Sequence, residues 1–342
     1  MRTTRPRSVP RPRSVYDLAF DDVAGLVGPD DATTIYDQLY RQRRRHSGEL
    51  DRLRRAGDLA DTAPLTRTNV DRGSTSTKFL FGLADGGAIE SVRIRRRTGT
   101  TACVSSQVGC AFGCTFCASG RLGLKRQLET GEIVQQVLEL GQQVNRVVFM
   151  GIGEPLHNYA RVLGAIRVLR DRRGLGLRTS GVTISTIGIP DRLRRLREEH
   201  VAINLTISLH ATTDAVRHEL IPGSRAFTIE EVIETSQSWA RRHNRRVTYV
   251  YLLLPGVNDT RADAERLIAW FRHRPARVNL MRWNPVLGGP RYQRVDDRGL
   301  ADFKQRLVAG GVPTVVRDTQ GRDIDAACGQ LWLRDLDGTN GT

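Results

Sequence analysis

The segment CVSSQVGCAFGCTFC, residues 103 to 117, holds four of the five cysteines in the chain. Cys110, Cys114 and Cys117 stand as C-x3-C-x2-C, with Cys103 seven residues ahead of them. Thiolates so close in sequence can share one loop and ligate one metal centre. Two centres fit. A structural zinc wants four ligands and could recruit Cys103. A 4Fe-4S cluster held by three thiolates leaves one iron open to an outside ligand, and an open iron is a place for chemistry. The fifth thiol, Cys328, lies in DIDAACGQL, more than two hundred residues downstream. On its own, a cysteine in an AAC segment reads as a small buried hydrophobe.

The rest of the composition limits what those thiols can be for. A chain of 342 residues is too long for a disulfide-stapled mini-protein and suits one large domain with a smaller one. No apolar run approaches the roughly eighteen residues of a membrane span, and MRTTRPRSVPRPRSV lacks the apolar core of a secretory signal. The expected location is the cytoplasm, away from membranes, where thiols stay reduced and a cluster of them is metal-binding or catalytic. The formal charge is +16, nearly all of it arginine, since Lys78, Lys125 and Lys304 are the only lysines. It comes in blocks: RQRRRH at 41–46, RIRRR at 93–97, RRHNRR at 241–246, and five arginines in the first thirteen residues. Each block alone reads as a solvated face; together they favour a phosphate-rich partner such as nucleic acid.

The elements that must position the thiols fall into zones. Residues 1–15 read as a disordered basic tail and 332–342 as a C-terminal tail. Residues 16–75 read as a helical accessory domain, with YDLAFDDVAGLV and TTIYDQLYRQRRRHSGELDRLRRAG as its helical patterns. The core spans 76–331. It opens with KFLFGLADGGAIESVRIR, two strand-like runs about a DGG turn, a β-hairpin signal. Six strand-like runs follow, near 101, 146, 181, 203, 247 and 277, alternating with helical patterns such as GEIVQQVLELGQQV and RADAERLIAWFRH. Six β/α units imply a parallel sheet curved into a full or partial barrel, with its chemistry at the C-terminal ends of the strands.

Several further motifs stand at those strand ends. They are VVFMGIGEP at 147–155, STIGI at 185–189, ISLHA at 207–211, PGVND at 255–259, RWNP at 282–285 and DIDAACGQL at 323–331. With the cysteine loop, and in this order, they resemble the radical S-adenosylmethionine RNA adenine methyltransferases of the RlmN/Cfr type, from about residue 77 to 331. The resemblance implies a partial (β/α)6 radical SAM barrel with a 4Fe-4S cluster on Cys110, Cys114 and Cys117. Two molecules of S-adenosylmethionine are used per turnover, one as methyl donor and one as the source of a 5′-deoxyadenosyl radical. It implies cofactor contacts from Gly153 and Glu154 in the glycine-rich turn, and from Ser185, Ser208, Leu209, His210 and Asn284. An electron donor such as flavodoxin or ferredoxin and a monomeric enzyme go with it.

The same resemblance gives Cys328 a purpose. Carbons 2 and 8 of adenine are not nucleophilic, so direct displacement on a sulfonium methyl group does not methylate them. A nucleophilic thiolate offers a detour. The matching cysteine, Cys328, is first methylated, loses a hydrogen atom from that methyl group, and adds it to the ring. Cys103 then attacks Cys328, leaving a transient disulfide, and Glu90 on the second hairpin strand accepts the ring proton. The implied target is an adenosine of 23S rRNA near the peptidyl-transferase centre, or of tRNA. Two other readings stay open: a radical enzyme with a small-molecule substrate, which gives no reason for the Cys103–Cys328 pair, and a zinc-stabilised RNA-binding module.

Overall fold

The computed structural model describes residues 13–60, 65–141, 143–201, 203–286, 292–317 and 320–331. Residues 1–12 of the basic tail and the 332–342 tail lie outside the described residues. From Ser14 onward the chain is packed: Ser14 bridges Ala60, and Val15 and Tyr16 are buried.

Three helices form the N-terminal unit, α1 (Phe20–Val27), α2 (Pro29–Tyr36) and α3 (Gly48–Gly57). The second stretch read as helical is broken, because the Ser47 hydroxyl accepts the Leu50 N–H and starts a new helix. Phe20, Tyr36 and Tyr40 pack edge to face, and the Tyr36 hydroxyl donates to the Leu18 carbonyl at 3.0 Å. The helical reading of 16–75 is corrected at its end, where β1 (Leu65–Arg72) is a strand. Its sequence, LTRTNVDR, has no apolar alternation. Pairing with β2 (Ser76–Leu83), Val70 opposite Phe79, imposes the extended form.

β2 and β3 (Ala88–Arg96) make the expected hairpin, Phe81 opposite Ile89, with Gly86 at φ +82° in the turn. β3 pairs antiparallel with β4 (Gly99–Val104), Val92 opposite Cys103. After β4 comes a two-stranded ribbon, β5 (Gln107–Gly109) with β6 (Leu124–Gln127), and the short α4 (Ala118–Arg121) lies between its strands. The main sheet then runs parallel: β4, β7 (Val144–Phe149), β8 (Val182–Thr186), β9 (Asn204–Ser208), β10 (Val247–Leu253), β11 (Ala276–Arg282) and β12 (Thr314–Val316). The six expected strands are present. β12 adds a seventh, at three residues too short to stand out by pattern.

The helices on the outer face are α5 (Thr130–Glu139), α6 (Tyr159–Arg170), α7 (Pro190–Glu198), α9 (Ile229–His243), α10 (Arg261–Phe271) and α11 (Asp297–Ala309), while α8 (Asp214–Leu220) places Leu220 in one cluster with the interior residues Val250 and Leu252. Strand alternation divides the sheet into two faces. Ile184, Leu205, Ile207, Tyr249 and Tyr251 are fully buried in the main core, while Ser185, Ser208, Val250 and Leu252 line the barrel interior. Among the described residues no helix is long and apolar enough to cross a membrane.

The N-terminal unit docks on the barrel through Asp17. Its carboxylate accepts the Ser14 N–H at 2.7 Å and, across the interface, the Gly131 N–H at 2.6 Å in the first turn of α5. Asp17→Ala strands both donors and should lower stability by about 1–3 kcal/mol in urea denaturation; an unchanged midpoint would show that this contact does not hold the unit.

Candidate active site

The cysteine loop has almost no regular structure, so its shape is set by what its backbone bonds to. The Thr115 N–H donates to the Leu220 carbonyl at 3.0 Å, and the Phe112 carbonyl accepts the Gly223 N–H at 2.9 Å, which fastens the loop to the end of α8. The Cys110 N–H donates to Gly123, and the Ala118 N–H to Gly329 at 2.7 Å. Gly113 turns at φ +62°, a conformation that favours glycine. At Gly120, a Cβ would stand 2.8 Å from the Cys114 nitrogen, so only hydrogen lets helix and loop approach.

The three thiols face one cavity of about 170 Å³ at the C-terminal end of the barrel. Burial raises all three thiol pKa values, Cys110 to about 12. Half-buried thiols of this kind gain most from a cation that takes up the thiolate charge. Among the described residues no three of His, Cys, Asp and Glu gather as a single ion's ligand set. Thiolates on one tetrahedral zinc sit roughly 3.8 Å apart, from Zn–S bonds near 2.3 Å, whereas a cluster takes each thiolate on a different iron and so accepts a wider set. Three thiols lining one cavity are a donor set that a 4Fe-4S cluster can use. Buried Cys103 lines a different cavity and is not a fourth ligand in this arrangement.

Gly153, Glu154, Ser185, Ser208, His210, Asn284 and Cys328 line the cysteine cavity. Glu154 is fixed on three sides: the Thr186 hydroxyl donates at 2.5 Å, and the Ile187 and Leu156 N–H groups donate at 2.9 Å each. Burial pushes its pKa up to about 7, against the pull of those donors and the nearby Arg217 charge. The carboxylate therefore ties the turn after β7 to the turn after β8. His210 adopts φ +60°, with its carbonyl accepting from Asn258 Nδ2 at 2.7 Å. Its Nδ1 accepts the Leu252 N–H at 3.0 Å, which places a ring proton on Nε2, and burial lowers its pKa to about 3, so it is neutral. Leu209 differs from the rest. Its side chain is in the main core and does not line the cavity, and its carbonyl accepts from Arg217 Nε at 3.3 Å.

Asn284 joins the cavity to the C-terminal segment, donating from Nδ2 to the Cys328 carbonyl at 3.2 Å. Its Oδ1 is buried without a hydrogen-bond partner among the described residues, an acceptor left for a donor on a bound molecule. Ser119 Oγ donates to the Leu331 carbonyl and Gln330 Nε2 to that of Pro285. Cys328 is thereby held, exposed, over the loop. It also lines a second small cavity with Cys103 and Met281. All five cysteines are free thiols, and burial raises the Cys103 pKa to about 12. Glu90 lies on the same sheet face as Val92 and Cys103 but lines neither cavity. It is buried, with Lys78 Nζ 3.4 Å away, which is not the solvated strand carboxylate its arginine-rich surroundings suggest.

Two residues near the site carried no sequence signal. Arg217 on α8 is fully buried, donating to Ile187 O at 2.6 Å as well as to Leu209 O, so it ties the ends of β8 and β9. Arg317, after β12, lines both the cysteine cavity and the Cys103 cavity, where its charge lowers the Cys103 pKa against the effect of burial. A single arginine among fifty leaves no pattern to read.

Three half-buried thiols at the mouth of an open parallel barrel, beside a glycine-rich turn, are the site of a radical SAM enzyme. The radical SAM superfamily model matches residues 104–268. A probable RNA methyltransferase of Rhodopseudomonas palustris (strain BisB5) is 66% identical over 274 residues, 80% of this chain and 76% of the relative. A probable dual-specificity RNA methyltransferase RlmN of Staphylococcus aureus (strain bovine RF122 / ET3-1) is 37% identical over 94% of this chain and 93% of its own length. The crystal structure of a radical SAM methyltransferase from Sphaerobacter thermophilus superposes with a TM-score of 0.87 at 35% identity, covering 94% of this chain and 99% of that one. The chain belongs to the RlmN-type family of radical SAM RNA methyltransferases.

Each of Cys110→Ala, Cys114→Ala and Cys117→Ala should lose the cluster, read as iron and sulfide content and as absorbance near 400 nm after anaerobic reconstitution. One variant with full iron would remove that thiol from the ligand set.

Proposed function

We propose that this enzyme methylates carbon 2 or carbon 8 of an adenosine in RNA, using Cys328 as an intermediate methyl carrier. The observation that carries the reading is the position of Cys328, which lines both the cavity of the cluster thiols and the cavity of Cys103. A thiol exposed between them can meet a methyl donor on one side and a resolving thiol on the other. The three-thiol cluster and two molecules of S-adenosylmethionine per turnover supply the methyl group and the hydrogen-atom abstraction that side chains cannot.

The chain's own residues do the rest. Gly153, Glu154, Ser185, Ser208, His210 and Asn284 shape the cofactor's seat, and Leu209 contributes only through its carbonyl hold on Arg217. Cys328 takes the methyl group as a thioether and, through its methylene, becomes bonded to the ring, a bond that is complete once the adduct has lost a proton and one electron, which a bound cluster would accept. Cys103 attacks the Cys328 sulfur: an S–S bond forms, the C–S bond breaks, and the electron pair stays with the methylene carbon, which takes a proton to become the methyl group. Glu90, with Lys78 Nζ 3.4 Å away, accepts the ring proton. A thiol reductant then restores both cysteines.

The substrate is RNA, in keeping with the relatives' names and the formal charge of +16. Its target base must be unstacked to reach the barrel mouth. We assign 23S rRNA near the peptidyl-transferase centre first and tRNA second, in the cytoplasm, by a monomer that receives electrons from flavodoxin or ferredoxin.

Nucleosides from a host lacking its own enzyme should gain 2-methyl- or 8-methyladenosine when this gene is supplied, read by mass spectrometry; only N-methylated adenosine would contradict the reading. Cys328→Ala should keep its iron and lose that product. Cys103→Ala should keep its iron and remain covalently attached to RNA, as a slow band on a denaturing gel that nuclease collapses and reductant does not. Normal turnover by Cys103→Ala would make Cys103 a bystander.

A further inference from the structure

The interior of the barrel continues past the cysteine cavity. Met150 and Arg317 line that cavity and also a second one, of about 550 Å³, that runs toward the N-terminal ends of the strands. Strand alternation builds its wall. Thr101 of β4, Thr183 of β8, Thr206 of β9 and Thr248 of β10 each face inward, one inward position below the residues that line the cysteine cavity on β8, β9 and β10.

Four arginines, Arg96, Arg146, Arg277 and Arg317, also line this bore, and no described lining residue is an aspartate or glutamate. Arg96, Arg146 and Arg277 are exposed and Arg317 is half-buried, and, unlike Arg126 with Asp85 and Glu132, none of the four has a carboxylate beside it in the lining. Here the partners are neutral. Arg146 donates to Thr98 Oγ1 at 3.1 Å, Arg277 to Thr248 Oγ1 at 3.1 Å, and Arg317 to the Met150 sulfur at 3.3 Å. A thioether is a weak acceptor, so Arg317 keeps most of its donor capacity. Four like charges around one hollow give it a positive potential that favours an anion.

Asn279 of β11 gives a second, independent sign. It lines the same bore and is only 8% exposed, and its Oδ1 is buried with no hydrogen-bond partner among the described residues. A buried acceptor of this kind asks for a hydroxyl or N–H from a guest. The wall therefore offers guanidinium and threonine donors for phosphoryl oxygens, and one acceptor for a hydroxyl. A ribonucleotide carries both, and the volume is in the range of small-molecule sites, about 300–1,000 Å³.

We propose that the bore is a binding site for a ribose-phosphate group, with its phosphoryl oxygens toward Arg146 and Arg277 and a ribose hydroxyl toward Asn279. Its source is either a nucleotide of the bound RNA strand or a free mononucleotide. The inference does not rest on which adenine carbon is methylated or on the cysteine chemistry.

The test is calorimetric titration of the full chain, purified anaerobically with its cluster, at low salt with ribose 5-phosphate. That probe has no base to draw it to the cysteine cavity. Saturable binding is expected, weakened more than about tenfold by Arg146→Gln with Arg277→Gln, two exposed side chains whose loss spares the core, and weakened also by Asn279→Leu. The control pair Arg194→Gln with Arg197→Gln, exposed on the outer helix α7, should leave it unchanged. A single-stranded oligoribonucleotide is the second arm: displacement of ribose 5-phosphate assigns the site to the RNA strand, and simultaneous binding assigns it to a free nucleotide. The proposal is overturned if neither ligand's affinity falls in the bore variants beyond its change in the control pair.

Discussion

The hydrogen bond from the Ala118 N–H to the Gly329 carbonyl, at 2.7 Å, joins the three-cysteine loop to the segment that carries Cys328. Ala118 follows the last cluster thiol, Cys117, and Gly329 follows Cys328. A bond one residue beyond each sulfur fixes their separation as a local matter, although more than two hundred residues lie between them. A loop that must offer three thiols to a metal cannot use its backbone in a helix or sheet. Its polar groups need outside partners instead, and they come from α8, from Gly223 and from the C-terminal segment. Each partner is also a constraint on where the three thiols and Cys328 stand.

The sheet provides the second constraint. Its outer face is packed with apolar side chains against helices, while its inner face mixes apolar Val250, Leu252 and Met281 with small polar positions. Serines toward the C-terminal end and threonines toward the N-terminal end occupy them. Glu154 and Arg217 then lock the strand ends together, the first from β7 to β8 and the second from β8 to β9. Both are ionisable and buried, a costly arrangement in which hydrogen bonds offset part of the desolvation. Rigidity at the strand ends is what that cost secures.

The sequence disclosed most of this where periodicity or cysteine spacing was involved. The hairpin and six parallel strands were readable because their apolar runs are long and bounded by turns. β1 was not, because LTRTNVDR is polar on both faces and becomes a strand only through β2. The β5–β6 ribbon and β12 are too short for any pattern. Among candidate site residues, those in the cavity follow from their place after a strand. Leu209 looked like its neighbours in ISLHA, yet strand alternation carries its side chain into the core and His210 into the cavity. Arg217 and Arg317 act through single long side chains reaching across the fold, which no local pattern records.

The central claim is that the methyl group travels through Cys328 rather than directly to the base. The most direct measurement is the deuterium content of the RNA methyl group formed from S-adenosylmethionine bearing a trideuterated methyl. Passage through the Cys328 thioether, with one hydrogen atom removed there before the bond to the ring is made, predicts a product that keeps two of the three deuterium atoms. A product retaining all three would contradict the account.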